Sequence, residues 1–402
     1  MPDDTYVLDL TVTGADLVTV NDDGQGSDTI SVQGIYAKTV EISLCFSAIG
    51  GQTIRAGGYY YDQNDNGHQL LINGLIENAI GSNGRDLIHG NEFANRLWGE
   101  ANLDGPGASD TIMGGLGNDT VHGGVGPDDI AGDADNDLLF GDLGGDRIVG
   151  GTGLDTIEGG AGADDLDGGG TLGDTLSYKS STAAIQIALV IGGVAIGAGG
   201  DAEGDRVQGF SDVMGSSFGD LIADTDKSTF AAQANDNAFF GGGGRDRLEL
   251  GGGNDTGMGG IGGDVIWGEA GDDLLSGGSG NDRLRGGRGI DTLSGGDGAD
   301  QFEFSMASDS SAGLAAQDII TDFNAAQGDR LGLSAMDADT SLTGNQAFHL
   351  IATAFTGTGG ELRLVGQGND LMVMGDIDGD MQADFAILLL DITSLSGSSF
   401  VL

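Results

Sequence analysis

Aspartate recurs at every ninth residue through two long stretches of this chain, and evenly spaced carboxylates are oxygen ligands suited to a hard cation. In the first stretch the positions are Asp110, Asp119, Asp128, Asp137, Asp146, Asp155 and Asp164. In the second they are Asp246, Asp255, Asp264, Asp273, Asp282, Asp291 and Asp300. Two residues after each stands a large apolar side chain, from Ile112 and Val121 through to Leu293 and Phe302, and Gly257 alone breaks this rule. The other positions are mostly glycine, as in "GGSGNDRLRGGRGIDTLSGGDGADQFEF" from Gly277 to Phe304. Asp86 belongs to a further cycle upstream, Asn95 takes the acidic position in the next, Asp174 closes the first stretch, and Asp220 precedes the second in a degenerate copy.

The elements that must position these carboxylates follow from the residue types. Six residues of Gly, Asn, Asp and small polar types suit the positive φ angles of a tight turn. The three that follow alternate outward, inward and outward as a short strand. Turn plus strand, repeated, winds a parallel solenoid whose two sheets carry alternate cycles. Turns two cycles apart then stack on one edge at about 4.8 Å.

One apolar side chain per cycle is little to set against the entropy of ordering a glycine-rich chain, and stacked carboxylates repel one another. The metal-free solenoid is therefore expected to fail. A Ca²⁺ ion between stacked turns reverses the repulsion, because it takes six to eight oxygens from carboxylates and backbone carbonyls in flexible geometry. Mg²⁺ demands a tighter octahedron and should substitute poorly. Seven cycles per stretch leave room for about ten inter-turn ions in all.

Composition narrows the function classes. Asp plus Glu number 63 against 15 Lys plus Arg, for a net charge of −48. Such a chain repels nucleic acid and anionic lipid. Gly numbers 80 and Pro only 3, so the chain is neither collagen-like nor a stiff linker. The lone Cys45 excludes an internal disulfide framework and reads as a small core residue. The acidic opening "MPDDTYVLDL" lacks the character of a Sec leader. The run Ala183–Ala198 is too short for a membrane span, is broken by Gly192 and Gly193, and reads as two buried strands around a turn.

Other motifs give weaker signals. The histidines His68, His89, His122 and His349 are scattered, with no H-E-x-x-H, and His89 and His122 are expected to face solvent. "GSSFG" (Gly215–Gly219) satisfies G-x-S-x-G, but repeat register follows it, so Ser217 reads as a turn residue. "GDIDGDMQAD" presents Asp376, Asp378, Asp380 and Asp384 but puts Gly379 where an EF-hand does not, and reads as a polar hairpin. Asp133 and Asp135 add carboxylates beside Asp137. Residues 1–80 alternate as β-strands, and the cluster Tyr59, Tyr60, Tyr61, Asp62 and Asp65 reads as a capping turn.

The cycles resemble the RTX (repeats-in-toxin) nonapeptide G-G-x-G-x-D-x-U-x. The segment 298–339 and the end from Gly375 to Leu402 are similar to the C-terminal domain of serralysin-type metalloproteases, and 173–225 resembles the strand insert that separates two roll blocks. The resemblance implies an all-β chain: an N-terminal β cap (1–80), a first parallel β-roll block (81–176), a β insert (177–214), a second block (215–303) and a β-rich C-terminal domain (304–402). It implies calcium held by Asp86, Asp110, Asp119, Asp128, Asp137, Asp146, Asp155, Asp164, Asp174, Asp220, Asp246, Asp255, Asp264, Asp273, Asp282, Asp291 and Asp300. It also implies export by type I secretion machinery through an uncleaved C-terminal signal, here ending "SSFVL". The expected function is that of a secreted, non-enzymatic calcium-binding protein, with no membrane span, that folds outside the cell and serves at a surface or in a matrix. The alternative is a degenerate relative or accessory chain of an RTX exoenzyme of the protease or lipase class.

Overall fold

The computed structural model describes residues 78–402 except 82–84, 100–106, 171–172, 191, 226–235 and 313–315, together with the backbone of five earlier strands. The expectations for Cys45, His68 and the tyrosine cluster fall outside the described residues. The chain forms two compact units, one of residues 1–181 with 192–212 and the other of 182–191 with 213–402. Among the described residues there is no α-helix, and strands account for nearly all regular structure.

In the first unit, consecutive cycles alternate between two sheets. Arg96–Trp98, Thr120–Val125, Leu138–Leu143, Thr156–Glu158 and Thr175–Ser177 pair in parallel in one. Asp86–His89, Thr111–Leu116, Asp129–Ala134, Arg147–Thr152, Asp165–Gly169 and Arg206–Gln208 do so in the other. The strands upstream of residue 81 join these same sheets in parallel register: Thr29–Gln33 pairs with Asn78–Ile80, and Val40–Ser43 with Asp86–His89. The parallel ladders therefore begin well before the first clean cycle.

The second unit repeats the arrangement. Ala238–Gly244, Thr256–Gly262, Leu274–Ser279, Thr292–Asp297 and Asp318–Ile320 form one parallel run. Leu221–Asp224, Arg247–Glu249, Val265–Ala270, Arg283–Arg288, Gln301–Glu303 and Arg330–Gly332 form the other. Beyond the last repeat, Glu361–Gln367, Asp370–Asp376 and Phe385–Leu389 make an antiparallel meander, and Phe385–Leu389 pairs in parallel with Asp318–Ile320.

The period of two along each short strand sends one residue per cycle into the core. Val121, Leu139, Ile157 and Leu176 stack in register on one sheet, and Ile112, Ile130, Ile148 and Leu166 on the other, each with no exposed surface. The apparent exception at Gly257 has a structural explanation. A Cβ built on Gly257 would lie 2.8 Å from Leu250 Cδ1 and 2.9 Å from Ile266 Cγ2. Leu250, fully buried at the position where other cycles carry glycine, fills the space that an apolar residue at 257 would otherwise take.

The run Ala183–Ala198 holds the two expected strands, Gln186–Leu189 and Ala195–Ile196, but they do not pair with each other. Gln186–Leu189 pairs with Leu221–Asp224 in the second unit, whereas Ala195–Ile196 pairs antiparallel with Arg206–Gln208 in the first. Nor are these strands wholly buried: residues alternate buried and exposed, and Ile196 is 60% exposed.

Candidate metal centre

The motif aspartates form four rows, one on each edge of each unit. In the first unit Asp86, Asp110, Asp128, Asp146, Asp164 and Asp205 make one row, and Asn95, Asp119, Asp137, Asp155 and Asp174 the other. In the second unit the rows are Asp220, Asp246, Asp264, Asp282, Asp300 and Asp329, and Asn237, Asp255, Asp273, Asp291 and Asp318. Within a row each residue donates its backbone N–H to Oδ1 of the next aspartate; for Asp137 and Asp155 the distance is 2.9 Å. All seventeen aspartates named from the sequence are at least 97% buried, and all lie in these rows. Spacing alone missed Asp205, Asp318 and Asp329, which stand 41, 27 and 29 residues beyond their row partners rather than 18. Their trace in the sequence is the surviving Asp-x-apolar triplet: "DRV", "DII" and "DRL".

The second carboxylate oxygen defines the candidate site. In Asp119, Asp137, Asp155 and Asp174, and likewise in Asp246, Asp264, Asp282 and Asp300, Oδ2 is buried without a hydrogen-bond partner. A buried, unpartnered carboxylate oxygen is costly and calls for a cation or a proton. Backbone oxygens converge on the same place. A Cβ on Gly259 would lie 2.5 Å from Asp264 Oδ2 and 2.7 Å from the carbonyl oxygen of Gly277, one coil on. The first glycine of the motif therefore leaves open a cradle with a carboxylate and a carbonyl oxygen on its walls. The second and fourth motif positions have a different requirement, positive φ: Gly115 and Gly117 sit at 107° and 96°. In the cycle beginning at Gly132 those two places are held by Asp133 and Asp135, at 74° and 75°.

Electrostatics point the same way. Burial is the first cause raising the carboxyl pKa of Asp137, Asp146 and Asp273 to about 8 each, against the lowering effect of the N–H each accepts. Row neighbours add like-charge repulsion: Asp119 and Asp155 on Asp137, Asp164 and Asp128 on Asp146, and Asp255 on Asp273. Without a counter-charge these groups hold protons near neutrality; a divalent ion would take the protons' place. The chemistry of the donor set, hard oxygens only, fits Ca²⁺.

Asp220 differs from its row. Ser216 donates both its backbone N–H and its hydroxyl to the Asp220 carboxylate, and Ile185 N–H donates to Oδ1, so this degenerate cycle has closed its site with protein donors. Ser217 next to it lies exposed in a turn followed by the strand Leu221–Asp224, where a nucleophile elbow would require a helix. His122 lies on an outer sheet face but is half-buried, stacked between Trp98 and Phe140 at centroid distances of 5.9 and 4.4 Å, with Nδ1 3.1 Å from Asp142 Oδ2. In the Asp376 loop, Oδ1 and Oδ2 of Asp376 accept the N–H groups of Gly379 and Met381, and Asp384 accepts that of Ile377. That loop joins two antiparallel strands, as expected of a polar hairpin.

The family comparison agrees with the repeat register. The family model for the RTX calcium-binding nonapeptide repeat matches residues 80–104, 105–139, 140–170, 222–257, 232–266, 251–284 and 276–309. The chain thus carries RTX calcium-binding repeats in both units. No curated protein matches it. Similar solved structures include the AlgE6R3 and AlgE6R2 subunits of the Azotobacter vinelandii mannuronan C5-epimerase. The first is 28% identical over 41% of this chain and 77% of that one, with a TM-score of 0.23; the second is 23% identical over 47% and 91%, with a TM-score of 0.22. The extracellular lipase LipA from Serratia marcescens is 16% identical over 77% of this chain and 45% of that one, with a TM-score of 0.25.

Proposed function

We propose that this chain of RTX repeats is a secreted, non-enzymatic calcium-binding protein whose two β-rolls fold only when Ca²⁺ fills the cradles between stacked turns. The observation that carries this reading is the repeated buried Oδ2 without a partner, facing the space above a glycine that has no room for a side chain. Asp110, Asp119, Asp128, Asp137, Asp146, Asp155, Asp164 and Asp174 in the first unit, and Asp246 through Asp300 in the second, would supply the carboxylates. Motif glycines would supply carbonyls. In a low-calcium cytosol the chain would stay open, fit to pass the type I machinery that its serralysin-like C-terminal segment suggests. Outside, millimolar calcium would bind only the native roll and stabilise it by mass action. A surface or matrix role follows from that chemistry and from the absence of H-E-x-x-H in the sequence.

Equilibrium dialysis against calcium tests the assignment. The expected result is about ten ions per chain, fewer by one or two in Asp273→Asn, which borders a step on each side. A count of two or fewer, or one that Asp273→Asn leaves unchanged, would reject the row sites.

A further inference from the structure

In a chain of net charge −48 only 15 residues are Lys or Arg, yet four arginines converge on the outer face of one sheet in the second unit. In register across five adjacent strands stand Arg247, Val265, Arg283, Gln301 and Arg330. The three arginines of this line are therefore two strands apart, or about 9.6 Å per step. Trp267 and Arg285, paired in the adjoining line, flank them. The Arg247 guanidinium carbon lies over the Trp267 ring, 3.9 Å from its centroid, a cation–π contact. The Arg283 side chain is 54% exposed, and Arg330 is exposed and forms no ion pair among the described residues.

Arg247 and Arg283 do contact Glu249 and Glu303, at 2.7 and 2.5 Å. The arginine ends of these pairs are partly exposed, so each guanidinium keeps N–H groups open to a second carboxylate. Arg285 lies 3.9 Å from the buried Asp309 carboxylate, which leaves Arg330 as the arginine of the four with no ion pair among the described residues. The row motif does not explain these arginines, because they occupy outward positions that the roll leaves free.

We propose that this line of arginines binds an extended acidic polysaccharide through its carboxylates. A straight row of equally spaced guanidinium groups matches a ligand whose anions also repeat along a line. In an extended chain of linked uronic acids, alternate rings turn the same edge outward, and two strand spacings are close to the length of two rings. Guanidinium forks take carboxylates in bidentate fashion, and an indole face beside them suits a sugar ring. Nucleic acid fits poorly: double-stranded DNA carries a charge about every 1.7 Å of axis, far denser than this row.

Calorimetric titration of the full calcium-loaded chain with a galacturonic acid hexamer provides the test. A neutral glucose hexamer and a single-stranded oligonucleotide serve as comparators, with calcium held equal in every arm. The hexauronate should bind, the neutral hexamer should not, and raising salt should weaken binding. The triple variant R247Q/R283Q/R330Q should lose at least tenfold in affinity while keeping its circular dichroism and its calcium count. No binding by the unmodified chain, equal binding by the triple variant, or tighter binding of the oligonucleotide would overturn the proposal.

Discussion

Leu250 and Gly257 have exchanged roles within one cycle: the apolar residue stands where the motif glycine belongs, and glycine where the core residue belongs. Because Leu250 Cδ1 occupies the space above Gly257, each residue makes sense only with the other present. Leu250→Gly alone should cost about 2–5 kcal/mol through the cavity it leaves. Gly257→Leu alone should cost about 1–3 kcal/mol by overpacking. The double variant restores the ordinary motif and should recover most of the loss, read from denaturant midpoints in excess calcium; strictly additive losses would refute the exchange. The carboxylates at motif spacing were legible in the sequence because a nine-residue period is insensitive to detail. Asp205, Asp318 and Asp329 were not, since insertions carry them away from that period while the hydrogen-bond row still reaches them. The Gly257 exception could be counted in the sequence, but only the packing showed what fills its place.

Each row is an element in its own right, with a pH dependence set by raised carboxyl pKa values. An unfolded aspartate titrates near 3.9, whereas Asp164 and Asp282 rise to about 6 and Asp119 and Asp246 to about 7, first through burial. The folded metal-free roll thus binds more protons than the unfolded chain between pH 4 and 8. Its stability is fully present below the unfolded value and is lost as pH rises through the folded values. In EDTA, β-structure should therefore be greatest near pH 4 and should melt as pH rises from 6 to 8, when followed by far-UV circular dichroism. With calcium present the sign reverses, because ions and protons compete for the same oxygens: calcium affinity should fall as pH drops below about 6. A metal-free chain indifferent to pH would contradict the buried rows. A second ladder runs beside these carboxylates, in which Asn118 Oδ1 accepts the Asn136 N–H and Asn136 Oδ1 that of Leu154. The sequence showed no reason to single out that fifth motif position, because its residue type varies from cycle to cycle.

For the molecule as a whole, the all-β class and the two repeat blocks were evident from periodicity, whereas the extent of the parallel ladders was not. The N-terminal strands read as a cap, yet Thr29–Gln33 and Val40–Ser43 pair in register with the roll strands that follow. Alternating apolar residues mark a strand without naming its neighbour, so sheet membership lay beyond local pattern. The same holds for Gln186–Leu189 and Ala195–Ile196, close in sequence but placed in different units. Each unit has its own core of one apolar residue per cycle, with rows of buried carboxylates along its edges. The most direct test is far-UV circular dichroism of the EDTA-treated chain at pH 7.5 during titration with CaCl₂, with MgCl₂ as the control. A cooperative gain of β signal at about 0.1–1 mM Ca²⁺, the extracellular end of the calcium range, with Mg²⁺ inert, is the predicted result. A chain already fully β in EDTA and unmoved by calcium would contradict the claim that the ion holds the roll together.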